Sequence, residues 1–207
     1  MKRILIHLIP SLLIAVSITH AERVKPDAVV ATFGDVPIHA EEMAFHIRDH
    51  VALVAVHFKS NHQVDLSGSK WIEEIGGETP VEMLMDRAVH SCRISKAIQL
   101  LAVEHGVGEK LPFPGFAEFC EQLNRQRSEA RSGNRILHGL VQYSPAQLYK
   151  YKLTNMRNHL RDRDLTKDHG QRELDARTEI EKKIAAMHVK LDSEKLSILI
   201  AHQVGAR

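Results

Sequence analysis

Apolar positions in this chain recur mainly at intervals of three and four, the period of a helix face, with brief alternation near each end. The first alternating stretch reads DAVVATFGDVPI, from Asp27 to Ile38. Val29, Val30, Thr32 and Phe33 favour extended backbone and Gly34-Asp35 is a tight-turn dipeptide, so a small hairpin is predicted with Val36 to Ile38 as its return strand. Its apolar content is too small for a free-standing sheet, which must therefore pack on helices. A first helix is predicted from Ala40 to Phe58, where Met43, Ile47, His50, Val51, Val54 and Phe58 keep the helical spacing. Lys59 to Gly77 reads as loop, anchored by Trp71 and Ile72.

Thr79-Pro80-Val81-Glu82 is the sharpest local signal: threonine to cap, proline for the first helical position, glutamate to reach back to the cap amide. The helix it opens is predicted to run to His105 and stop at Gly106. Val81, Met85, Ala88, Cys92, Ser95, Gln99 and Ala102 form its packing seam. A turn at Pro112 to Gly115 precedes a third helix, Phe116 to Arg131. Ser144-Pro145-Ala146-Gln147 repeats the cap logic for a fourth, to Arg163, and a highly charged fifth spans Gln171 to Met187. His188 to Asp192 alternates again and predicts a terminal strand, followed by a last apolar stretch, Leu196 to Ile200. The expected fold is mainly α: about five helices with a small antiparallel sheet formed by the N-terminal hairpin and the C-terminal strand.

The first residues change where this fold is expected to work. Lys2 and Arg3 precede an apolar run from Ile4 to Ile18 that ends at Thr19-His20-Ala21, a small-x-small boundary. This is the pattern of a secretory signal peptide, residues 1–21, and it is short of the roughly 20 apolar residues that span a bilayer. An uncleaved anchor is the alternative. The remaining 22–207 are read as a single helical domain, exported to the periplasm or outside the cell, with no membrane span.

Loss of Lys2 and Arg3 takes the formal charge from +2 to zero. With no concentrated basic face, nucleic acid is not an expected partner. Cys92 and Cys120 are the only cysteines; in an oxidising compartment they pair in one disulfide between two helices, or both are buried small hydrophobes.

The chemistry on offer is thin. His46 and His50 sit four apart, with His57 nearly two turns on, but the intervening Ile47-Arg48-Asp49 lacks the glutamate of a zinc-protease helix and no further ligands lie nearby in sequence. No nucleophile elbow or phosphate-binding loop is present. The neighbouring pairs Glu41-Glu42 and Glu73-Glu74 point in different directions on a helix and read as solvated surface. No catalytic residue, metal or cofactor is assigned.

Taken in order, the motifs resemble the chaperone domain of SurA-type and PrsA-type extracytoplasmic foldases, related in shape to part of trigger factor. Val30-Ala31-Thr32-Phe33-Gly34-Asp35-Val36-Pro37-Ile38 is similar to the family's opening hairpin, with Phe33 where the family has asparagine. Glu41-Glu42 fall where its first helix begins. Trp71-Ile72 through Gly77-Glu78-Thr79-Pro80 and Ala88 resemble its loop and long second helix, and Gln99 to Gly106 the end of that helix. Tyr143-Ser144-Pro145, Leu148-Tyr149 and Val189 to Leu191 are also similar. The parvulin isomerase domain of those proteins has no counterpart here.

The resemblance implies a chaperone-like protein that binds unfolded or partly folded exported polypeptides without catalysis, in an apolar groove for which Trp71, Phe113, Phe116 and Phe119 are the candidate client-binding residues. Ordinary core packing is the favoured reading of the same four aromatics. Rival readings are residual peptidyl-prolyl isomerase activity, a factor dedicated to assembling one partner, and metal handling through the histidines.

Overall fold

The computed structural model describes residues 23–133 and 135–205; the expected signal segment, 1–21, lies outside them. The hairpin forms as the alternation predicts, β1 (Val29–Phe33) against β2 (Val36–His39), with Gly34 at φ 61° in the turn. Val29 pairs with His39 and Phe33 with Val36, and a bulge lies between Val29 and Ala31. The terminal strand β3 (Val189–Leu191) adds antiparallel to the other edge of β1, giving the order β2-β1-β3. Residues over 150 positions apart are thus joined by a ladder in which Ala31 faces Leu191 and Phe33 faces Val189.

Six α-helices accompany this sheet among the described residues: α1 (Ala40–His62), α2 (Pro80–Glu104), α3 (Phe116–Ser132), α4 (Pro145–Arg161), α5 (His169–Ala186) and α6 (Ser193–Gly205). The fold is mainly α with a small antiparallel sheet, as expected, with one helix more than expected. The sixth is the last apolar stretch, where Leu196, Leu199 and Ile200 share one buried face against α1 and the sheet. None of the described helices is long and apolar enough to cross a membrane.

The α1–α2 pair is the centre of the packing, with α4 and α5 laid on α2, and α3 reached through α4. Met43, Ile47, Val54 and Phe58 on α1 meet Leu84, Ala88, Cys92 and Ala102 on α2 in one hydrophobic cluster. The α2 residue Arg93 donates through Nη2 to the carbonyls of Ile184 and Met187, at 2.9 and 3.1 Å. A cation thus adds a second donor to the Ile184 carbonyl, which already accepts from the Met187 amide, and bonds the Met187 carbonyl at the C-terminus of α5, the end that favours positive charge.

Local signals were met unevenly. Ser144 caps α4 with the full reciprocal box to Gln147, whereas Thr79 opens α2 without a side-chain cap bond. Glu78 and Ile75 close a backbone bridge just before Thr79, so α2 is entered from a tight turn rather than through a capping box. The stretch read as loop is also more structured than expected: α1 runs on to His62 and a 3-10 turn, Gly68–Trp71, buries Trp71 near α2 and α6.

Cys92 and Cys120 are not bridged. Cys92 lies inside the α1–α2 seam, while Cys120 sits on α3, which packs on α4, and its Sγ donates to the Tyr143 carbonyl at 3.3 Å. Burial raises both thiols above the usual range, so neither is a ready nucleophile. Oxidant treatment of the native protein should leave both cysteines reactive to a thiol reagent after denaturation. A mass shift showing an intramolecular disulfide would contradict this packing.

Candidate functional site

The start of α1 is where the chain departs furthest from its expected surface. Glu41 and Glu42, read as solvated, both turn inward. Glu41 reaches the N-terminus of α3, whose cap residue Gly115 has no side chain to offer. Its carboxylate accepts from the amides of Gly115, Phe116 and Ala117 at 2.7, 3.2 and 2.8 Å. One anion from another helix thereby satisfies three open donors at the positive end of α3.

Glu42 is fully buried. Its Oε2 faces the ammonium of Lys96 on α2 at 2.7 Å as an ion pair without a well-aligned hydrogen bond, while Oε1 accepts from Gln99 Nε2 at 3.2 Å and from the Tyr149 hydroxyl at 3.4 Å. With that hydroxyl donating to Glu42, His46 Nε2–H donates to the Tyr149 oxygen at 3.1 Å, leaving Nδ1 to accept from Ser91 Oγ at 3.0 Å. Every role is filled by a neutral imidazole, and burial pushes His46 down to about 3. The His46–His50 chelating pair considered from the sequence is therefore not formed, because His46 spends both ring nitrogens on α2 and α4.

This network backs an aromatic wall. Tyr149 stacks on Phe45 at 5.2 Å, and Phe113 stacks on Phe116 at 4.9 Å; Phe45 meets both of the latter edge-on near 6 Å. Phe119 joins the group through Phe116 at 5.8 Å, and the Lys96 ammonium lies 5.8 Å over the Phe113 ring. Three of the four aromatics singled out from the sequence are thus gathered by the α3 start. Phe116 is fully buried there, with Phe113 and Phe119 half-buried. Trp71 lies apart, buried at its own turn.

Beside the wall runs a groove of about 360 Å³ between α1, α6, the α3 and α4 starts and the segment before β1. Its floor is Ala40, Ala44, Phe45, Ala117, Ile198 and Leu199, Arg23 and Arg48 are its cationic lining, and His202 lies beside them. Arg48, an exposed residue, sits 5.0 Å over the Phe45 ring in a cation–π contact. Among the described residues the one lining carboxylate, Glu41, already accepts from α3. What the groove offers a ligand is apolar area and positive charge; the buried Glu42, Lys96 and His46 lie behind it and do not line it.

Sequence reading missed Glu41, Glu42, Lys96 and His46 as a set. The available trace was a polar stripe, Glu42-His46-His50 at four-residue steps, running directly beside the Met43-Ile47 seam, facing Lys96 and Gln99 three apart on the next long helix. No known family model, curated protein or solved structure matches the chain.

Three outcomes test this arrangement. Lys96→Met, which leaves the buried Glu42 carboxylate uncompensated, should destabilise the protein by about 3–5 kcal/mol in denaturant titration, and pairing it with Glu42→Leu should recover most of the loss. Glu41→Ala should cost about 1–3 kcal/mol and speed hydrogen exchange at the Phe116 and Ala117 amides. Between pH 6.5 and about 3 the unfolded chain carries the His46 proton that the folded one refuses. Stability therefore rises with pH through that window and falls on acidification, by up to about 1.4 kcal/mol per pH unit. His46→Gln should flatten the dependence.

Proposed function

We propose that the protein is an exported, non-catalytic chaperone of the SurA and PrsA type that holds extended apolar segments of unfolded polypeptide in the groove beside Phe45. The observation that carries this reading is the groove itself: an apolar floor with cations along its lining and, among the described residues, a single carboxylate that is already engaged. An extended client segment presents apolar side chains on one face and backbone carbonyls at its edges. The floor takes the former, and Arg23 and Arg48 donate to the latter or to acidic client side chains.

Magnitude separates a general holder from a dedicated assembly factor. A groove of this size takes two or three apolar side chains, each worth about 1.5–3 kcal/mol on burial, against about 0.5–1.5 kcal/mol for each client or protein side chain that is immobilised and the cost of association. The net affinity stays weak, on the order of millimolar to micromolar. That suits many transient clients better than one permanent partner. Support for export comes from the cationic start and short apolar run of residues 1–21, and support for the family from the order of motifs that ends in the Val189–Leu191 strand. Phe113, Phe116 and Phe119 do not line the groove; the first two pack against its floor residue Phe45, Phe119 packs on Phe116, and Trp71 is an anchor elsewhere.

Dilution of a chemically unfolded client into buffer with the protein should give less light scattering than without it, with no acceleration of proline-peptide isomerisation. Ile198→Asp and Ala117→Glu, which place charge on the groove floor, should each weaken the suppression at least about threefold at equal concentration while leaving the far-ultraviolet dichroism unchanged. Suppression that survives both substitutions would move the client site off the groove. Unchanged scattering across several unrelated clients would overturn the holding function.

A further inference from the structure

At the far end of α1 from the groove, three potential metal ligands from separate stretches of chain converge. His57 lies in the last turns of α1, His62 is its final residue, and Glu78 ends the turn that leads into α2. His57 Nε2 lies 2.9 Å and His62 Nε2 3.5 Å from the same oxygen, Glu78 Oε2. One ligand atom from each residue lies within 4.8 Å of the other two. Donors around a tetrahedral zinc ion at 2.0–2.1 Å stand roughly 3.3 Å apart, so the two nitrogen-to-oxygen separations already bracket the edge of such a site.

The local chain is shaped to bring these groups together. Gln63 ends α1 in the left-handed conformation, φ 58°, and the chain returns through the Gly76-Gly77 turn closed by the Ile75–Glu78 bridge. Gly76 serves the approach doubly. Its φ is 62°, and a Cβ there would fall 2.3–2.4 Å from the His62 ring, so only glycine lets that imidazole lie against the turn. The His62 ring also stacks on Phe58, with centroids 5.3 Å apart. Asn61 Nδ2 donates to His57 Nδ1 at 3.1 Å, which leaves the imidazole proton on Nε2 facing Glu78; ligation through Nε2 requires the Asn61 amide to turn so that its Oδ1 accepts from Nδ1–H.

We propose that His57, His62 and Glu78 form a zinc site, with the fourth position open to water. Two imidazoles and one carboxylate are a donor set suited to this borderline cation, and all three side chains are solvent-accessible enough to admit it. The bound ion fastens the Gln63–Thr79 segment to the end of α1, and so fixes the entry to α2. This site is independent of the polypeptide-binding groove: none of its residues lines that groove.

The test is calorimetric titration of the purified protein with zinc chloride, run beside Glu78→Gln, His62→Ala and a control, His105→Ala, which removes a histidine paired with Glu179 elsewhere. One equivalent should bind to the unsubstituted and control proteins, and each site substitution should weaken that binding at least about tenfold with circular dichroism unchanged. Hydrogen exchange gives a second readout: zinc should slow the Ile75 and Glu78 amides in the unsubstituted protein and not in Glu78→Gln. Stoichiometric binding that persists in both site variants, or no binding at all by the unsubstituted protein, would overturn the proposal.

Discussion

The buried ion pair between Glu42 and Lys96 is the constraint on which the rest of this structure depends. Removing a carboxylate and an ammonium from water is expensive, and the attraction between them offsets the cost only when their other bonding positions are also filled. Gln99, Tyr149, His46 and Ser91 contribute to that completion, and they come from three helices. A purely apolar seam between α1 and α2 would tolerate sliding and rotation. Charged groups that must meet at 2.7 Å, with a tyrosine and an imidazole aligned behind them, accept far fewer arrangements of α1, α2 and α4.

Geometry set in that network passes outward to the surface. Tyr149 is held by Glu42 and His46 at its hydroxyl and stacks on Phe45 with its ring, so the polar and aromatic clusters share one side chain. Phe45 in turn forms both the aromatic wall and the groove floor. The neighbouring Glu41 secures the start of α3, which brings Phe113 and Phe116 against Phe45. Two adjacent glutamates therefore divide the work. One fixes how the long helices pack, and the other fixes where the aromatic turn docks.

The two ends of α1 consequently differ in chemistry. Near its start, carboxylates are consumed internally and the groove is left with arginine and histidine around an apolar floor. At its end, imidazoles and a carboxylate meet at the surface, brought together by a left-handed helix stop and a two-glycine turn. Some 20 residues of helix separate them, a rigid span of about 30 Å. The hydrophobic face between them is uninterrupted, with Ile47, Val51 and Val54 all buried.

Features decided by neighbouring residues were legible in the sequence. Alternation and a Gly-Asp turn gave the hairpin, Ser144-Pro145 with Gln147 gave a true capping box, and the Val81-to-Ala102 seam gave the long second helix. Those rest on backbone preferences and periodicity, which act over a few residues. Thr79 shows the limit: an equally good local motif was overridden because the Ile75–Glu78 bridge already sets the approach to α2. Only the tertiary structure could decide that Glu42 is buried, that His46 is a neutral core hydrogen-bonder, that Trp71 stands apart from the three phenylalanines, and that His57 meets Glu78. Each depends on a partner that lies from about 20 to over 100 positions away in the chain. A glutamate at a helix start has the same local preferences whether water or a lysine from the next helix faces it, and only packing chooses between them.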